Sequence, residues 1–245
     1  TLSSSSAASD VYKRQTRDHA KIIAIGEYNG YLYNEKGIDI ALLLKHFDKT
    51  KNFKNFKGAK FIEKPADVLT IACDILIPAA MESVINRANV NEIKTKLIVE
   101  AANGPVTYNA DEILHKKGID VLPDIYVNSG GVVVSYFEWV KNITHVRFGR
   151  LQRRYEENKM NELIQVIEDA TGRSIPEKYK NNVIHGVQEI DLVNSGLEDV
   201  MRETFKEILK NMKNLKKASL RTATYAIALN KLKQYHKDMG VSNAH

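Results

Sequence analysis

The sequence predicts an α/β protein, an open parallel sheet with helices on both faces, followed by a run of long helices. Short apolar runs closed by Gly, Pro or an acid alternate with helix-period segments through the first half of the chain. Strands that alternate with helices need crossover connections, which produce parallel strands covered by helices. From Gly149 onward the character changes to long, charged, helix-period stretches.

Each element has a local reason. Residues 1–9 are small and polar, with neither helical nor strand periodicity and no apolar signal-peptide core. Residues 10–15 (DVYKRQ) read as the translation of a transposon-end adaptor used in sequencing libraries, so residues 1–19 are expected to be a non-native or disordered leader. Residues 20–26 (AKIIAIG) read as a buried strand that ends at the acid Glu27. Ile38, Leu42, Leu43 and Phe47 give residues 37–47 helical spacing, and residues 49–60 read as a Lys/Asn/Phe loop. Residues 74–78 (DILIP), 96–100 (KLIVE) and 120–123 read as further strands. Residues 84–91 and 109–117 read as helices, the second with acids early and lysines late, as the helix dipole favours, and Gly118 stops it. Beyond Gly149, helices are predicted over 150–170, 192–212 and 216–239. Glu198–Arg202 and Glu203–Lys206 are spaced for ion pairs on a helix surface.

Composition narrows the class. The 245 residues are 43% hydrophobic and 27% charged, which excludes wholesale disorder. No apolar run approaches the ~18 residues of a spanning helix, so no membrane partner is expected. The single cysteine, Cys73, cannot form an internal disulfide, which favours a reducing compartment. The seven histidines are dispersed and match no metal-ligand spacing, so no metal is expected. Net charge is +6, and residues 201–245 hold ten Lys/Arg against three Asp/Glu. That tail reads as a solvated helix face, with a basic module for nucleic acid or acidic lipid as the alternative.

Open parallel sheets bind ligands beyond the carboxyl ends of their strands. The residues there are the candidates. Glu27 could accept hydrogen bonds from the ribose hydroxyls of an adenine dinucleotide and repel a 2′-phosphate, although a lone acid after a strand is more often a plain surface turn. The chain holds no G-x-G-x-x-G, and the place for it, ~20 residues upstream of the acid, falls in the leader. Ala79 and Ala80 would let a flat ring lie against the backbone, or simply pack tightly. Asn103 precedes Gly104-Pro105 in a turn and could bond a ribose or carboxamide. Asn128 or Ser129 could cap a helix whose free amides suit an anion, and Ser135 inside it could reach a carboxylate or bond back to its own helix. By β-propensity alone, residues 132–140 (VVVSYFEWV) would be a strand.

Together these stretches resemble the glutamate dehydrogenases: AKIIAIGEYNG, CDILIPAA, VEAANGP, PDIYVNSGGVVVSYFEWVKN and FGRL, in family order. The resemblance runs from about Ala20 to the C-terminus. It implies an incomplete Rossmann-like NAD-binding domain over residues 20–148, lacking its first strand and phosphate loop. An antenna-like insertion over 149–191 and a pivot helix plus C-terminal helix over 192–245 would follow. The implied reaction is oxidative deamination of L-glutamate to 2-oxoglutarate and ammonium with hydride transfer to NAD or NADP. Glu27 would hold the adenosine ribose; Ala79, Ala80, Asn103 and Asn128 would line the nicotinamide-ribose pocket; Ser135 would bind the substrate carboxylate; and residues 132–140 would be helical. The family's catalytic Lys and Asp belong to an N-terminal domain outside this sequence, so the chain alone is expected to be inactive. A homo-hexamer with antenna contacts inside trimers, no nucleic-acid partner, and a mitochondrial or otherwise cytoplasmic location are implied as well. Animal members carry His before the Ser-Gly-Leu that opens the pivot helix and use it for GTP. Asn194 stands there instead, and an amide cannot supply the imidazole's charge. The leucine, valine and phenylalanine dehydrogenases of the same superfamily are the nearest alternative, and they usually differ at the ANGP turn.

Overall fold

The computed structural model describes residues 19–144, 150–176, 180, 189–215 and 218–240. The chain divides into two compact units, Thr1–Leu122 and Pro123–His245. The division falls upstream of the 148/149 boundary expected from the sequence, because the helices that follow Leu122 pack among themselves.

The first unit holds two three-stranded sheets. In one, β1 (Ala24–Glu27) turns through Tyr28-Asn29 into β2 (Gly30–Tyr33), which pairs with β3 (Lys60–Ile62), all antiparallel. The expected parallel placement of β1 is therefore corrected. A two-residue connection can only join antiparallel neighbours. Helix α1 (Ile40–Thr50) begins where the Asp39 carboxylate accepts the Leu42 amide at 3.0 Å. It ends at Lys51 in the left-handed conformation, φ 54°. Its buried Ile40 and Leu43 pack with Leu32, Ile38, Phe53 and Phe56 into a first core.

The other sheet is parallel, in the order β4 (Ile75–Leu76), β5 (Leu97–Val99), β6 (Asp120–Leu122). Helix α2 (Tyr108–Lys116) packs on it through Ala110 and Leu114, which join Ile85, Val90, Ile93, Ile98, Val106, Ile119 and Val121 in a second core. Gly118 at φ 73° stops the helix, as the sequence predicts. The helix predicted over residues 84–91 does not form. Asn86 and Asn89 bond nearby backbone instead (Ala88 N to Asn86 Oδ1 at 2.9 Å, Asn89 Nδ2 to Val84 O at 2.7 Å), which competes with the helical ladder. A single 3₁₀ turn, Val90–Glu92, is left.

The second unit is helical. A one-turn α3 (Asp124–Val127) leads into α4 (Ser129–Thr144), then α5 (Arg150–Thr171), α6 (Glu189–Asn214) and α7 (Leu220–Asp238). Residues 132–140 are thus helical; the β-branched run is overruled by its neighbours. α6 and α7 form a hairpin around Ile208, Ala223 and Ile227, with Tyr126, Met212 and Leu220 against them. The two ion pairs predicted on α6 form, Glu198–Arg202 and Glu203–Lys206, both at 2.6 Å. After α5, the Glu168 carboxylate accepts the Ile175 amide at 2.6 Å and pairs with Lys180 at 3.0 Å. These contacts hold its carboxyl below the usual range, the Ile175 hydrogen bond contributing most. The leader, the FG of the FGRL motif and most of the antenna's returning segment lie outside the described residues.

Candidate cofactor-binding site

The parallel sheet sets the site in the first unit. Ile75 pairs with Leu97 and Leu76 with Ile98, so β4 and β5 run in register and deliver their carboxyl ends to one edge. The two outgoing segments stay together beyond that edge. The Ala101 amide donates to Pro78 O at 3.1 Å, the Ser83 amide to Gly104 O at 2.8 Å, and the Ile85 amide to Pro105 O at 2.9 Å. Ala79, Ala80 and Asn103 are thereby carried on neighbouring stretches of backbone, all three exposed. Gly104 turns the chain at φ 55°, and a side chain there would meet nothing within 4 Å. Glu100, just before the turn, is fully buried. Two small side chains, an exposed amide and open space beyond a turn suit a flat heterocycle with its ribose, so the residues fit a nicotinamide nucleotide.

Charge at the opposite end of the sheet is paired. Lys96 holds Asp74 at 2.7 Å across the amino ends of β5 and β4. The Asp74 carboxyl lies below its usual range, chiefly through that hydrogen bond, and Lys21 adds to the shift.

Glu27 sits elsewhere than the sequence places it. It is exposed at the end of β1, paired with Gly30 across the hairpin and outside the parallel sheet. The hairpin reaches that sheet through the 3₁₀ turn Pro65–Thr70: Val68 approaches Gly26 so closely that a Cβ there would stand 3.1 Å away, and Leu69 joins the second core. No ladder joins the two sheets among the described residues. The signal for the hairpin was in the sequence, since Tyr28-Asn29-Gly30 precedes an alternating Tyr-Leu-Tyr run.

Asn128 and Ser135 belong to the second unit. Asn128 closes α3, its amide donating to Asp124 O at 2.8 Å, and its carbonyl takes the Gly131 amide at 3.2 Å. The Ser129 hydroxyl donates back to the Tyr126 carbonyl rather than forward into α4. The Ser135 hydroxyl is exposed and donates to Gly131 O at 3.0 Å, the bond back to its own helix. Asn194 is exposed on α6, and Gly196 lets Phe137 of α4 approach that helix, where an added Cβ would stand 3.2 Å from its ring. Among the described residues no group of three or more His, Cys, Asp or Glu is placed to hold a metal ion, and no helix is long and apolar enough to cross a membrane.

A family model, glutamate/leucine/phenylalanine/valine dehydrogenase, matches residues 5–193. The chain belongs to that family. Within it the likeness is to glutamate dehydrogenases. The mitochondrial glutamate dehydrogenase of Dictyostelium discoideum is 44% identical over 221 residues, covering 90% of this chain and 44% of that protein. A probable glutamate dehydrogenase of Sinorhizobium fredii (strain NBRC 101917 / NGR234) is 44% identical over 213 residues, covering 86% of this chain and 48% of that one. The crystal structure of the Peptoniphilus asaccharolyticus glutamate dehydrogenase superposes with a TM-score of 0.61 at 28% identity, covering 95% of this chain and 44% of that one. The chain thus spans about half the length of the relatives it matches.

Proposed function

We propose that this chain is the cofactor-binding half of an NAD(P)-dependent glutamate dehydrogenase, which deaminates L-glutamate to 2-oxoglutarate and ammonium. The observation that carries the reading is the meeting of Ala79-Ala80 with the Asn103 turn at the carboxyl edge of the parallel sheet. When bound, a nicotinamide nucleotide would supply the acceptor for the α-hydride of the amino acid. Ala79 and Ala80 would leave a flat surface for its ring and Asn103 would hold its ribose or carboxamide; Asn128, in the second unit, is read as a cofactor contact from the resemblance alone. Glu27 accepts from the adenosine ribose hydroxyls, and its charge opposes a 2′-phosphate, which tilts choice toward NAD over NADP. The Ser135 hydroxyl rotates off Gly131 O to donate to the substrate carboxylate. The catalytic Lys and Asp that the resemblance implies belong to the part of the relatives that this chain does not span.

Support for glutamate rather than leucine, valine or phenylalanine comes from the relatives' names and from the ANGP and SYFEW wording. In the complete enzyme α5 belongs to an antenna that packs within trimers of a homo-hexamer, α6 serves as the pivot helix, and the compartment is the mitochondrial matrix, the Dictyostelium relative being a mitochondrial enzyme.

The test is steady-state reduction of NAD+ and NADP+ by the complete enzyme, with glutamate and leucine as competing substrates. Glutamate should win by kcat/KM, and Glu27→Ala should weaken NAD use more than NADP use. Preference for leucine would overturn the substrate, and equal losses with both cofactors would remove Glu27 from the ribose.

A further inference from the structure

Asn128 and Ser135 lie on an elbow that one side chain ties to α6 by both a hydrogen bond and a ring stack. Tyr126, two residues before Asn128, donates its hydroxyl to the carbonyl of Met201 in the middle of α6 at 3.1 Å. Its ring stacks on Phe205 of the same helix, with centroids 5.8 Å apart and planes 30° from parallel. It also packs against the core shared by α6 and α7. Burial pushes its phenol up from the ordinary tyrosine value, so it remains a donor through the neutral range. The elbow's other contacts cluster around it. Ser129 bonds the Tyr126 carbonyl and reaches Met201 Sδ at 3.6 Å, and Gly130 faces Leu197 and Met201 at ordinary van der Waals distance. Asp124 meets Arg221 of α7 at 3.7 Å.

A tyrosine needs no such bond for packing alone, because phenylalanine fills the same space. The hydroxyl supplies direction: it fixes the rotation of the α3 turn about its own axis, and Asn128 leaves that turn one residue after Val127. We propose that Tyr126 is a positioning residue, holding Asn128 at a fixed angle to α6. This rests on the reading of Asn128 given above.

In the complete enzyme, Tyr126→Phe keeps the ring on Phe205 and removes only the bond to Met201 O. The expected result is a kcat for glutamate-dependent NAD+ reduction, per folded protomer, lowered about 3- to 10-fold, the range for losing one hydrogen bond, with KM for glutamate unchanged and Tm lowered by no more than that one bond accounts for. In an Asn128→Ala background the same change should have no further effect, since residues that act through one another are not additive. Phe205→Leu, which withdraws the stacking partner, should reproduce the pattern and serves if Tyr126→Phe folds poorly. Additive losses, or a lower Tm with kcat per folded protomer unchanged, would overturn the proposal. An inactive wild-type enzyme would overturn the functional reading itself; an active one indifferent to Tyr126→Phe overturns only this inference.

Discussion

Replacing Gly30 by alanine should break the hairpin that carries Glu27. Gly30 opens β2 at φ 152°, a conformation close to glycine-only. An added Cβ would overlap the carbonyl oxygen of Ile62 in the neighbouring strand and stand 2.7 Å from Phe61 Cζ. The ring end can swing away; the backbone oxygen cannot, because β2 and β3 are paired at Tyr31–Ile62 and Leu32–Phe61. The backbone conformation costs about 1–3 kcal/mol and the overlap about 1–3 kcal/mol more, roughly 4 kcal/mol together. Gly104→Ala is the control. It too has a positive φ, 55°, yet its Cβ meets nothing within 4 Å, so only the left-handed strain of about 1–2 kcal/mol applies. Hydrogen exchange read by mass spectrometry reports each site locally. At 1.4 kcal/mol per tenfold, β2 amides in Gly30→Ala should exchange roughly a thousandfold faster, and amides around Gly104 in its variant about tenfold faster. Equal responses at the two sites would refute the assignment of the larger cost to the Ile62 carbonyl.

Gly130→Ala should be neutral or slightly stabilising, since its Cβ meets Leu197 at an ordinary 3.5 Å and alanine favours a helix by about 1 kcal/mol. Gly196→Ala should lower Tm, because Phe137 stands 3.2 Å away, and urea denaturation followed by the lone Trp139 reads both. Glu168 has a depressed carboxyl, so its hold on the loop after α5 is complete above the ordinary glutamate value of 4.5 and is lost as pH falls through the lower folded value. The Ile175 amide shift in an NMR titration should move with a midpoint below 4.5, and Glu168→Gln should abolish the movement. Ser135→Ala should raise KM for glutamate about tenfold or more, the range for a hydrogen bond to a charged group, while Tm holds or rises as alanine suits the helix better; an unchanged KM would leave the hydroxyl only its bond to Gly131 O.

Patterns that depend on neighbours in sequence were legible. The helix stop at Gly118, the ion pairs of α6 and the strands around Ile98 and Val121 each follow from residues a few positions apart. What failed depended on a choice between alternatives of similar local energy. Residues 132–140 carry β-branched side chains that favour strands on the intrinsic scale, yet the segment continues the helical path of α3, and tertiary contact outweighs a few tenths of a kcal/mol per residue. Residues 84–91 have apolar spacing for a helix, but two asparagines satisfy the backbone locally at less cost.

The candidate site divides along the same line. Asn103 was readable because a turn fixed by Gly-Pro and preceded by an apolar strand allows few placements, and the structure seats it beside Ala79 and Ala80 as the strand order requires. Glu27 was readable as the acid that ends a strand, but not as a member of an antiparallel hairpin, because the direction of a strand belongs to its partner. Tyr126 escaped the sequence altogether. Its hydroxyl acquires meaning only from the Met201 carbonyl 75 positions away, and no periodicity within α3 could reveal an acceptor supplied by another helix. A side chain that works by fixing the angle between two elements is invisible to any reading that takes the elements one at a time.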